Sequence, residues 1–212
     1  ADFFRTVDMI SKRLNAKPVP IQIPLGKEDS FRGVIDLMAG KAYVFNGDVT
    51  APPQELPVPE EYESQFKVYR DAMVERIAET DEKLTIRYLE GEAIPVGELK
   101  TALRKATISN TLVPIVCGTA LHNKGIRPML DAVVAYLPSP KEMPPIKASD
   151  LVTGEERRIS PEEDAPLAAL AFKVMTDPFV GQLTFFRVYS GSLAQGMMVL
   201  NSSKGKKERI GR

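Results

Sequence analysis

The sequence predicts an α/β region carrying an α+β insert, followed by the first strands of an all-β barrel. Three observations lead there. Up to Pro140, apolar stripes at helical spacing alternate with short β-branched runs. Residues 141–166 then change character, becoming rich in Pro, Glu and Lys. From Leu167 onward apolar residues alternate with period two, and glycines at 181, 191, 196 and 205 mark turns at regular spacing.

The elements follow in order. Phe3, Val7, Ile10 and Leu14 fall on one face of a helix over residues 2–15, which Pro18 and Pro20 stop. Val19, Ile21 and Ile23 alternate with Pro20, Gln22 and Pro24, the pattern of an edge strand. Residues 31–37 and 42–45 read as strands separated by Gly40. Four prolines within 51–59 predict an irregular connection. A long helix over 60–80 has Tyr62, Phe66, Tyr69, Met73 and Ile77 as its apolar stripe. Shorter helices are expected near 82–90 and 96–109. Residues 112–117 read as a short buried strand. Ile126, Met129, Leu130, Val133, Val134 and Leu137 give the clearest helix, over 125–137, ended by Pro138 and Pro140. In the β region, residues 183–189 form a strand and 197–201 begin another. The divisions are 1–17, an insert at 18–110, a strand and helix at 111–140, a linker at 141–165, and an incomplete barrel at 166–212.

Composition bounds the function. The 212 residues have 43% hydrophobic and 26% charged content and zero formal net charge, ordinary for a globular protein. The total therefore gives no general attraction to nucleic acid or membrane. No apolar run approaches the roughly 20 residues that span a bilayer, and residues 1–30 show no signal peptide. The single cysteine, Cys117, forms no intrachain disulfide, which fits a reducing cytosol. Both ends look abrupt, as expected of an internal fragment.

Few residues carry chemistry. No G-x-x-x-x-G-K-[ST] occurs, so no phosphate cradle and no phosphoryl-transfer machinery is present. His122, the only histidine, has no neighbouring ligand set for zinc. Cys117 has no histidine base placed to activate it and reads as core. Asp71, Glu75 and Glu79 stand at i, i+4 and i+8, off the apolar stripe, as an acidic face. It is either a solvated face or a dock for a basic partner. Lys204, Lys206, Lys207, Arg209 and Arg212 are either a charged turn or a phosphate-contacting patch. Gly118-Thr119-Ala120-Leu121 lies between a strand and a helix. A loop there offers backbone N–H groups to a base carbonyl, or is merely a connection.

Three stretches together resemble elongation factor G. They are ADFFR with NAKPVPIQ near the start; PIVCGTAL, NKGI and YLPSP around 114–140; and PLAALAFKVM with DPFVGQLTFFRVYSG over 166–191. The resemblance implies that residues 1–17 follow the guanine-recognition motif Asn-Lys-x-Asp, itself absent here. It implies that 18–110 is the insert called the G-prime subdomain of a P-loop GTPase-type domain, of which only a remnant is present. Residues 111–140 would then be that domain's last strand and helix, and 166–212 the start of the translation-factor barrel.

For the parent protein the resemblance implies GTP/GDP with Mg as cofactor. It also implies ribosome, ribosomal stalk protein and ribosomal RNA as partners, a cytoplasmic setting, and tRNA–mRNA translocation. Thr119, Ala120 and Leu121 would support the guanine ring, Thr119 standing where the family has serine. Asp71, Glu75 and Glu79 would meet the stalk protein, and the basic tail would meet ribosomal RNA. No catalytic residue and no metal ligand is assigned, and the chain alone is expected to be inactive. Cut edges lead to the expectation of a homo-oligomer. The rival readings are a ribosomal-protection or release-factor relative, and a non-catalytic ribosome- or stalk-binding module.

Overall fold

The computed structural model describes residues 2–46, 51–150, 153–179 and 181–211. They form two compact units, residues 1–137 and 138–212. The first opens with α1 (Phe3–Leu14), capped by the Asp2 carboxylate, which accepts from the Arg5 N–H at 3.0 Å. Asn15 ends it in the left-handed conformation at φ 50°. The Phe4 ring lies 5.0 Å from that of Tyr69 and ties α1 to the core, whereas Leu14, expected on the apolar stripe, is exposed.

The run expected as one edge strand is divided between two sheets. β1 (Pro18–Pro20) pairs in parallel with β6 (Val113–Ile115), and β2 (Gln22–Leu25) begins a second sheet. Ile21 is the crossover. Its N–H donates to the Ile115 carbonyl at 3.0 Å, and its carbonyl accepts from the Leu37 N–H at 3.0 Å. The second sheet is antiparallel in the order β2-β3-β4-β5, with β3 (Gly33–Asp36), β4 (Lys41–Val44) and β5 (Gln54–Pro57). β5 corrects the expectation of an irregular connection at 51–59. It is the outermost strand, where the missing N–H of Pro57 leaves no gap inside a ladder.

Beneath this sheet lie α2 (Glu63–Ala78), α3 (Glu82–Leu89) and α4 (Val96–Ile108). Met73 and Ile77 of α2 are buried as its stripe predicts, and a 3-10 turn at Glu60–Tyr62 precedes it. Leu99, Ala102, Leu103 and Ala106 of α4 are buried at i, i+3, i+4 and i+7. Each large aliphatic residue hidden in this way contributes about 1.5–3 kcal/mol.

One expectation about burial is corrected, and one helix shows which of its faces is covered. β6 was expected to be buried, yet Val113 is 39% exposed, because among the described strands only β1 pairs with it. α5 (Ile126–Tyr136) forms where its periodicity requires, but packs through another stripe. Tyr136 enters the core, with Ala132 packed against it. Met129, Leu130, Val133, Val134 and Leu137 face outward, Val134 at 81% exposure. Periodicity identifies the apolar face; it does not supply the surface that covers it.

Among the described residues the second unit holds three two-stranded hairpins. β7 (Ile146–Ser149) and β8 (Glu156–Ile159) occupy the stretch read as linker. β9 (Ala168–Asp177) and β10 (Gly181–Ser190) form a long pair, with register shifts at Phe185/Phe186 and Val188/Ser190. β11 (Met198–Asn201) pairs with β12 (Lys206–Arg209). Ser190 is buried and donates its hydroxyl to the Pro166 carbonyl at 2.6 Å. No closed barrel forms among the described strands, and Leu170, Phe172 and Val174 of β9 remain exposed.

Candidate functional site

The loop between β6 and α5 is closed by its own backbone. Thr119 and Lys124 exchange hydrogen bonds, the Thr119 N–H to the Lys124 carbonyl at 2.8 Å and the Lys124 N–H to the Thr119 carbonyl at 3.1 Å. The Asn123 N–H donates to the Ala120 carbonyl at 3.2 Å. Two left-handed residues make the return possible, Asn123 at φ 49° and Gly125 at φ 82°.

Within this frame Thr119 is half-buried, Ala120 is exposed, and Leu121 is 88% exposed. The backbone N–H groups of Ala120 and Leu121 donate to no acceptor among the described residues. Backbone donors left unused on an exposed loop are able to serve a carbonyl acceptor. The sequence contains no P-loop motif.

Gly125 is the tightest point of the loop. A Cβ there would lie 2.7 Å from the Cys117 carbonyl oxygen, in a conformation that L side chains rarely adopt. Gly125→Ala is expected to cost about 1–3 kcal/mol, in the range of other strained left-handed residues. Urea unfolding followed by circular dichroism measures it, and a cost below about 0.5 kcal/mol would mean that the loop relaxes freely. Burial pushes the neighbouring Cys117 thiol up to about 12. Little thiolate forms near neutral pH, in keeping with Cys117 as a packing residue.

Asp71 and Glu75 on α2, and Glu79 at its C-cap, are exposed. Burial first, then Glu75, Asp71 and Glu79, raise the Tyr88 hydroxyl above its ordinary range. Tyr88 of α3 thus lies within electrostatic range of these carboxylates, which sequence reading did not pair with it. The Asp81 cap that starts α3, accepting from Lys83 and Leu84, sets that approach. Exposed Val68 lies three residues before Asp71, giving the face an apolar margin.

In the β11–β12 hairpin, Lys206, Lys207 and Arg209 lie on an exposed strand. Lys204 sits in the turn, where its N–H donates to the Asn201 carboxamide at 3.1 Å. Arg212 lies outside the described residues. Among those described, no group of three or more His, Cys, Asp or Glu side chains is arranged to hold a metal ion. Among the described residues no helix is long and apolar enough to cross a membrane.

Comparison with known proteins bears on both units. Residues 166–212 match the family model of elongation factor G domain 2. The chain also matches a crystal structure of a protein from Thermus thermophilus, at a TM-score of 0.70 and 30% identity. That match covers 99% of this chain and 28% of the Thermus chain.

Proposed function

We propose that the chain, whose residues 166–212 match elongation factor G domain 2, is a stretch of a translational GTPase of that type, and that the intact protein is a GTP-dependent ribosomal translocase. The observation that carries the reading is the domain 2 match, joined to a fold match over nearly the whole chain. In this reading Thr119, Ala120 and Leu121 face the guanine base. Phosphates and magnesium are held by parts of the protein outside these residues. Asp71, Glu75 and Glu79 receive the basic C-terminal domain of the ribosomal stalk protein. Lys204, Lys206, Lys207 and Arg209 approach ribosomal RNA. The open apolar face of α5 is covered by the remainder of the GTPase sheet. The setting is the cytoplasm.

Full-length protein, added with GTP to ribosomes awaiting translocation, is expected to advance the messenger by one codon. Stimulated GTP hydrolysis without messenger movement would overturn the translocase reading in favour of another ribosome-dependent GTPase. The 212-residue chain alone is expected to show no micromolar GTP binding by calorimetry, because base contacts alone are few. Micromolar binding would overturn that division of the nucleotide site.

A further inference from the structure

We infer that Lys124 is a positioning residue, one that staples the Thr119–Leu121 loop to the insert sheet through a single ammonium. Its significance for nucleotide binding rests on the base-site reading given above. The Lys124 Nζ donates to the Phe31 carbonyl at 2.9 Å, across 93 residues of sequence. The backbone of the same residue closes the loop by two hydrogen bonds with Thr119. One residue thus sets the loop's shape with its main chain and anchors it with its side chain.

The anchor is itself held. Phe31 follows the 3-10 turn Glu28–Ser30, and its N–H donates to the Glu28 carbonyl at 3.1 Å. The Ser30 hydroxyl donates to the Lys27 carbonyl at 2.7 Å. The Gly26 N–H, at the start of this connection, donates to the Tyr62 hydroxyl at 3.1 Å, just ahead of α2. A Cβ at Gly26 would come within 2.1 Å of the Ser30 carbonyl oxygen, so the turn is closed tightly on itself. The Lys124 ammonium is half-buried and reaches a fixed carbonyl, the geometry in which a charged hydrogen bond contributes most.

Contacts therefore run from the N-terminus of α2, through Tyr62 and the β2–β3 connection, to the loop that offers the Ala120 and Leu121 amides. Lys124→Met keeps the length and apolar stem of the side chain and removes the donor. Lys124→Arg keeps a donor of similar reach.

The test is amide exchange by NMR on the 212-residue chain, read at Thr119 and Asn123, whose N–H groups are bonded only while the loop is closed. In Lys124→Met both are expected to exchange about tenfold faster, the loss of a hydrogen bond to a charged group. Leu103 and Ile77 amides are expected to stay as in the parent, and Lys124→Arg to restore most of the protection. Unchanged exchange at Thr119 and Asn123 in Lys124→Met, or no recovery with Lys124→Arg, would overturn the staple. GDP affinity of full-length protein with the same variants separates the two readings. A matching loss supports both. Faster exchange with unchanged GDP affinity upholds the staple and overturns the base site.

Discussion

Leu103→Ala is expected to destabilise the first unit by about 2–5 kcal/mol, the range for deleting a fully enclosed leucine side chain. Leu103 is 0% exposed, on the α4 stripe that faces the core shared with Met73 and Ile77. The cost combines lost transfer free energy with the cavity left behind, because helices anchored at both ends close it only partly. α4 is so anchored: Pro95 begins it, and the Leu112 N–H returns to the Ala106 carbonyl at 3.2 Å after it. Urea unfolding monitored by circular dichroism reads the change. A cost under about 1 kcal/mol would mean that α4 can shift to fill the gap, and that the core is looser than described.

Replacing Asp71, Glu75 and Glu79 together by lysine is expected to slow association with the basic stalk domain by tenfold or more at low salt. Exposed charges act chiefly on encounter, and steering contributes roughly 10- to 1,000-fold to association rates. The three side chains are exposed, so reversing them leaves the core untouched, and their i, i+4, i+8 spacing sets them on one helix face. Stopped-flow association at low and high ionic strength is the measurement. The parent should slow as salt rises, while the variant should not. Equal rates for parent and variant would reduce the face to a solvated helix surface.

The helices were legible because their signals are local. Asp2 and Asp81 cap α1 and α3, and prolines bound α1 and α5. β9 and β10 were legible for the same reason, alternation between turn-forming glycines. The missing phosphate loop is likewise a statement about sequence alone, since no fold supplies a motif the chain lacks. The loop at 119–121 was marked by its place between a strand and a helix as a source of backbone N–H groups, but which of them stay unused depends on the surrounding backbone.

What the sequence by itself determined is therefore the helices and most of the strands, in their approximate order. Tertiary structure alone decided how those elements meet. Ile21 divides one β run between two sheets, and β5 accommodates Pro57 because it stands at an edge. α5 buries Tyr136 and leaves Val134 exposed, although both lie in one strongly periodic segment. Tyr88 joins the carboxylates of another helix, and Lys124 reaches a carbonyl 93 residues away. The physical reason is common to all of these. Periodicity and capping are encoded within a few residues, whereas burial and long-range hydrogen bonds depend on a partner surface whose position no local pattern specifies.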